Sequence, residues 1–175
     1  FTDVPKSHYA ADAIRWAWEN GWFSGVSGKR FAPEQGLSRA MLVTVLWRME
    51  GEPRHGISGF TDVLPGGWYE KAVAWAAFSG IVSGTAEGVF SPDAAITREQ
   101  LAVILWRYAG SPQPSGSLSG FADAGEVSAY AAEAMAWAVE QGIVTGSNGS
   151  LLPKSGATRA QTALMLQRFA ARQAQ

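Results

Sequence analysis

The tetrapeptide Phe1-Thr2-Asp3-Val4 returns as Phe60-Thr61-Asp62-Val63 and again, loosened, as Phe121-Ala122-Asp123-Ala124. Around it the copies keep one register. Trp16, Gly21, Gly25, Pro33, Arg39, Trp47 and Arg48 coincide with Trp75, Gly80, Gly84, Pro92, Arg98, Trp106 and Arg107. The third copy keeps Trp137, Gly142 and Gly146 one place later and regains register at Pro153, Arg159 and Arg168. It therefore carries one insertion before its first helix and one deletion in its loop. A unit of about 55 residues buries too little surface to be comfortably stable alone, so stacked repeats share their cores. We expect repeats at 1–55, 60–112 and 121–173 that fold as one cooperative unit, joined by Gly-, Pro- and Ser-rich spacers at 52–59 and 111–120.

Each unit reads as helix, loop, helix, which makes the fold class all-α. The first helices are expected at Tyr9–Asn20, Trp68–Ser79 and Ala129–Gln141, each followed by a glycine in the left-handed C-cap position, Gly21, Gly80 and Gly142. The loops carry Phe31-Ala32-Pro33, Phe90-Ser91-Pro92 and Leu151-Leu152-Pro153, where proline blocks helix continuation. The second helices are expected at Arg39–Glu50, Arg98–Ala109 and Arg159–Ala171. Thr97-Arg98-Glu99-Gln100 and Thr158-Arg159-Ala160-Gln161 match a capping box, in which glutamine reaches back to the N-cap amide. Ser38-Arg39-Ala40-Met41 keeps the cap and loses the reciprocal partner. Arginine at N1 three times opposes the helix dipole, and a residue repeated against its local preference points to an anion or a structural ion pair.

Composition narrows the chemistry. The 14 basic and 15 acidic residues leave a net charge of −1, a poor match for nucleic acid. There is no cysteine, and His8 and His55 are the only histidines, so thiolate and multi-histidine metal sites are excluded and no cofactor is expected. No apolar run approaches the roughly 20 residues of a membrane span. Phe1 already belongs to the repeat, so we expect that a signal segment was removed or that the repeats come from a larger chain. G-x-S-x-G, Walker A and H-E-x-x-H are all absent, and the most regular acids come in threes where a glycosidase needs one opposed pair, so no enzyme is expected.

The pattern Phe-x-Asp-Val-Pro, His-Tyr-Ala, Gly, Gly, Phe-x-Pro and Ser/Thr-Arg resembles the S-layer homology (SLH) module in all three repeats, over nearly the whole chain. The resemblance implies a pseudo-threefold, three-pronged helical assembly with grooves between repeats. It implies non-covalent anchoring of exported proteins to the cell wall of Gram-positive-type bacteria, hence an extracellular location. Its partner would be a secondary cell wall polysaccharide, commonly bearing pyruvylated N-acetylmannosamine, held by a monomeric module fused to a larger surface protein without membrane insertion. The family's signature arginine maps onto Arg39, Arg98 and Arg159, and its helix-start aromatic onto Tyr9, Trp68 and Tyr130. Its aspartate maps onto Asp3, Asp62 and Asp123, and its loop glycine onto Gly25, Gly84 and Gly146. The family's Thr-Arg-Ala-Glu ends here in Met41, Gln100 and Gln161, and repeat 3 lacks the Val-Pro and has Gln167 where the others have tryptophan.

Each of these residues has a structural reading beside the functional one. Trp16, Trp75, Trp137, Trp47 and Trp106 are expected in the core, whereas Trp18 and Trp22 belong to repeat 1 alone and either cover an end or mark a site there. The signature arginines either pair with a nearby aspartate or grip a carboxylate by two parallel hydrogen bonds, with free helix N-terminal amides adding donors for the same anion. The aspartates hold a turn or touch a sugar hydroxyl. The loop glycines supply positive φ. Arg48, Arg107 and Arg168 sit near helix C-termini, where the dipole accounts for them. Repeat 2 combines an intact capping box with Trp68, so the groove served by Arg98 is expected to dominate. The alternative function is a protein, peptide or peptidoglycan interaction module.

Overall fold

The structure, a computed structural model, describes residues 1–174. Its helices are α1 (Ala11–Glu19), α2 (Arg39–Met49), α3 (Glu70–Phe78), α4 (Arg98–Tyr108), α5 (Ala132–Glu140) and α6 (Arg159–Gln173). Isolated antiparallel bridges supply the little extended pairing among the described residues. The second helices start where their arginines stand. Thr97 and Thr158 accept from the amides of Gln100 and Gln161, whose side chains return the bond, while Ser38 caps Met41 one way only. The first helices start later than expected. Tyr9 lies in a turn where the Ala10 amide donates to Nδ1 of His8 at 3.1 Å. In repeat 3 the segment that carries the insertion makes two 3-10 turns, Ala124–Glu126 and Ala129–Ala131.

The packing does not follow the chain order. Helix α1 packs on α6, α3 on α2 and α5 on α4, so each first helix leans on the second helix of a neighbouring repeat. Alanines make the approach close: Ala13 and Ala17, Ala72 and Ala76, and Ala134 and Ala138 are all buried. The second helices supply the larger apolar groups, with Leu42, Leu46, Leu101, Leu105 and Leu166 essentially inaccessible. Just before these helices the chains meet in a closed triangle. Leu37 donates its amide to the Ala157 carbonyl, Ala157 to Ile96 and Ile96 to Leu37, each at 2.9 Å.

Trp75 and Trp137 are buried, and Trp16 is partly buried against the core, 4.8 Å from the Trp22 ring. Trp47 and Trp106 also hold the spacers, because each indole Nε1 donates to a proline carbonyl there, Pro53 and Pro112, at 2.8 Å. Between the helices, Phe31, Phe90 and Leu151 are fully buried, and the next residue in each loop takes positive φ (Ala32 57°, Ser91 59°, Leu152 54°). Left-handed backbone is unfavourable for residues with a Cβ. An aspartate secures it. Asp3 accepts the amides of Phe31 and Ala32 at 2.9 and 2.8 Å, and Asp62 and Asp123 do the same for Phe90–Ser91 and Leu151–Leu152.

Candidate functional site

Each signature arginine reaches from its helix start into the next repeat round the ring. Arg39 donates from Nε to the Phe90 carbonyl and from Nη2 to Ser83, both at 2.9 Å. Arg159 does the same to Phe31 and Ser24, at 2.8 and 2.6 Å. Arg98 donates from Nε to Leu151 at 2.9 Å, and among the described residues neither of its Nη atoms holds a protein acceptor. The guanidinium of Arg39 lies 4.8 Å from the Phe90 ring centroid, and that of Arg159 lies 4.4 Å from Phe31. These contacts account for arginine at N1 against the dipole. The side chain is a tie between repeats, and its charge faces a carbonyl-rich loop. Burial pushes all three guanidinium pKa values down from the ordinary arginine value. No carboxylate of the described residues lies within ion-pair distance of them. Of the two sequence readings, pairing with a nearby aspartate is therefore not what holds them.

Three grooves follow, each assembled from all three repeats. The first, about 410 Å³, is lined by Arg39 of repeat 1, Gly84, Gln100 and Arg107 of repeat 2, and Tyr130 of repeat 3. The second, about 340 Å³, takes Arg98 from repeat 2, Gly146, Gln161 and Arg168 from repeat 3, and Tyr9 from repeat 1. The third, about 380 Å³, takes Arg159 from repeat 3, Gly25, Met41 and Arg48 from repeat 1, and Trp68 from repeat 2. Two arginines line each groove, and among the described residues no carboxylate does. Tyr9, Trp68 and Tyr130 are 57–59% exposed, so their rings are accessible beside the arginines.

The grooves change several sequence expectations. Trp68 stands with Arg159 and not with Arg98, so the combination that favoured the Arg98 groove does not exist. The N-terminal amides of the second helices are not free. Arg39 and Ala40 donate to Ala94 and Pro92, Arg98 and Glu99 to Ser155 and Pro153, and Arg159 and Ala160 to Gln35 and Pro33. Gly146 has the expected positive φ of 75°, but Gly25 and Gly84 do not, and space explains them. A Cβ on Gly25 would stand 2.7 Å from the carbonyls of Ser27 and Arg30, and one on Gly84 2.5 Å from that of Val89. Asp3, Asp62 and Asp123 do not line the three grooves; both oxygens of each accept loop amides. Trp22 lines the Arg159 groove, while Trp18 stands on the other side of the same loop, edge-on to Phe1.

Two features escaped the sequence reading. Arg48, Arg107 and Arg168 recur in register as faithfully as the signature arginines, yet the dipole explained them well enough to hide their place in the grooves. Glu99, 2% exposed, accepts from Lys154 Nζ at 2.6 Å, the Ser128 amide at 2.9 Å and the Tyr130 hydroxyl at 3.2 Å. Desolvation pushes its carboxyl pKa up, but Lys154 and Ser128 outweigh that and hold it below the usual value. This cluster fixes Tyr130 beside the Arg39 groove. Its partners lie about thirty to fifty-five residues apart in the chain, which no local motif announces.

Fold and grooves together define a closed three-repeat helical module with three cationic interrepeat clefts. Residues 1–40, 59–102 and 120–163 match the S-layer homology domain model, and the chain belongs to that family. It is 32% identical, over 93% of its length, to a surface-layer 125 kDa protein of Lysinibacillus sphaericus. It is 30% identical over 95% of its length to an amylopullulanase of Thermoanaerobacterium thermosulfurigenes, and 28% identical over 70% to a cellulosome-anchoring protein of Acetivibrio thermocellus. The matched regions are 14%, 9% and 29% of those proteins respectively, so the chain spans a small part of each. The family places the chain at the cell surface, and no described helix is long and apolar enough to cross a membrane.

Proposed function

We propose that this module anchors a larger exported protein to the cell wall by holding a secondary cell wall polysaccharide in its three grooves. The carboxylate it reads is that of a ketal-linked pyruvate, as on pyruvylated N-acetylmannosamine. The supporting observation is the charge of the grooves: two arginines in each and, among the described residues, no lining carboxylate, on a chain whose net charge is only −1. A guanidinium with an unoccupied edge matches a carboxylate in shape as well as charge. The neighbouring exposed ring offers a face on which a pyranose stacks, and the loop glycine lets the ligand approach the backbone. The cellulosome-anchoring relative supports the same reading. The module itself is non-catalytic in this proposal, and the enzyme activity in the amylopullulanase relative's name belongs to other parts of that protein, of which the chain spans 9%. It acts as a monomer.

Pull-down on cell-wall sacculi, before and after chemical removal of the secondary polymer, tests this. Binding is expected to vanish with the polymer. Retention on stripped sacculi overturns the glycan reading in favour of peptidoglycan or protein.

A further inference from the structure

The pseudo-threefold axis makes each groove a control for the other two, and one of them is unlike its sisters. At one wall position the Arg39 and Arg98 grooves carry Gln100 and Gln161, at the prong Thr85 and Ser147, and at the mouth Tyr130 and Tyr9. Each of these side chains carries a hydrogen-bonding group, although the Tyr130 hydroxyl already donates to Glu99 and the Thr85 hydroxyl is shared with Ser91. The carboxamide oxygens of Gln100 and Gln161 already accept their own N-cap amides, at 3.0 and 3.3 Å, which leaves the amide nitrogens to donate. In the Arg159 groove the three positions are Met41, Val26 and Trp68, and Trp22 joins the wall. Val26 is 48% exposed, so the apolar surface is open to solvent and not packed against the protein. The hydroxyl of Thr44 in this groove donates to the Ala40 carbonyl at 2.8 Å, so its proton is engaged, as that of Tyr130 is in the Arg39 groove, and its oxygen can only accept.

What stays constant matters as much. Arg159, Arg48, Ser24 and Gly25 occupy the same places as their counterparts in the other grooves. The anion-reading part is thus retained, while the carboxamide and hydroxyl positions are exchanged for Met41 and Val26 and the tyrosine for an indole that can only donate. The exchange also has a local cost, because Met41 forfeits the reciprocal half of the capping box that Gln100 and Gln161 complete. A rule broken in one copy of three marks a place where something else is gained.

We propose that Met41, Val26 and Trp68 make the Arg159 groove specific for a differently decorated unit of the same polymer. That unit bears a carboxylate, but the face beside it presents C–H groups or capped oxygens in place of free hydroxyls. This rests on the anionic-glycan reading given above. A buried or half-enclosed hydroxyl with no partner is disfavoured, whereas a C–H face packs on indole and thioether surfaces.

The test is a 1H–15N NMR titration of the intact chain with two probes. One is the methyl glycoside of pyruvylated N-acetylmannosamine with its free hydroxyl, and the other is the same compound with that hydroxyl methylated. The amides of Gly84, Gly146 and Gly25 report the Arg39, Arg98 and Arg159 grooves separately, with no mutation needed. With the hydroxyl free, Gly84 and Gly146 should reach half-shift at about three- to tenfold lower concentration than Gly25, the worth of one hydrogen bond. With the methylated probe the order should reverse, and Met41→Gln with Val26→Thr should return Gly25 to the behaviour of the other two. If Gly25 titrates like Gly84 and Gly146 with both probes, the specialisation is wrong while glycan binding stands. If none of the three amides moves with either probe, the glycan reading falls and this inference with it.

Discussion

Arg159, at the start of the last helix, donates to the carbonyl of Phe31, a residue 128 positions earlier. The equivalent bonds run from Arg39 to Phe90 and from Arg98 to Leu151, so the repeats are tied in a circle. A single repeat has neither the neighbour's second helix for its first helix to lean on nor the neighbour's loop for its arginine. Residues 1–175 should therefore unfold in one transition, with calorimetric and van't Hoff enthalpies equal. A fragment of residues 1–55 that melts cooperatively as a monomer would refute the shared core. Arg159→Ala should lower stability by about 1–3 kcal/mol, since it strands the buried Phe31 carbonyl and removes the tie to Ser24.

Charge reading has its own signature. Methyl esterification of the pyruvate carboxylate should remove most affinity for the pyruvylated monosaccharide, measured by calorimetry. Added salt should weaken binding only modestly, because each groove uses two charges in a partly enclosed site. An ester that binds as well as the acid would show that the arginines read something else.

The grooves should bind the carboxylate unequally. Arg39 and Arg159 each commit one Nη to a loop carbonyl, whereas both Nη atoms of Arg98 are available. Arg98→Lys keeps the charge and loses the forked geometry, and should cost about 1.5–3 kcal/mol of carboxylate affinity, roughly ten- to a hundredfold, at the Gly146 amide. Unchanged titration at Gly146 in that variant would remove Arg98 from its leading place. Whole-polymer binding should fall less steeply, since the remaining grooves act on the same strand.

Acid should loosen the module through the loops. In Asp3 and Asp123 the amide bonds from Phe31 and Leu151 hold the carboxyl below its ordinary pKa of 3.8. In Asp62 desolvation opposes the shift, and the amides of Phe90 and Ser91 prevail. A folded pKa below the unfolded one gives stability that is present above about pH 4 and lost as pH falls through the folded value. The melting temperature of the parent should drop below that pH, and the drop should flatten in a chain carrying Asp3→Asn, Asp62→Asn and Asp123→Asn. Parallel acid profiles would mean other carboxylates govern it.

Met41→Gln should complete the third capping box and raise stability by about 0.5–1 kcal/mol, seen as a higher melting temperature. A lower one would mean the methionine packs better than its groove position implies.

Much of this architecture is legible in the sequence. Repetition in register located all three second helices to the residue at their starts, because a cap, an arginine and an apolar run are local signals. The ends of the first helices followed from Gly21, Gly80 and Gly142, all with φ near 70°. What escaped was the order round the axis. Nothing local says that Arg39 bonds Phe90, 51 residues on, or that Trp68 faces Arg159 across a repeat boundary. The same blindness left the helix N-terminal amides looking free and gave Gly25 and Gly84 a dihedral role in place of a spatial one.

The triangle of amides joining Leu37, Ile96 and Ala157 has no first or last member. Between α6 and α1 the ring is closed by packing and by Arg159, without the spacer that joins the other repeats. Sequence order and spatial order are thereby decoupled. A circular permutant, opened in the 52–59 spacer and joined by a new linker from 174 to 1, keeps every interrepeat contact described above. Its three clefts are the same clefts, and only the position of the chain ends moves round the axis.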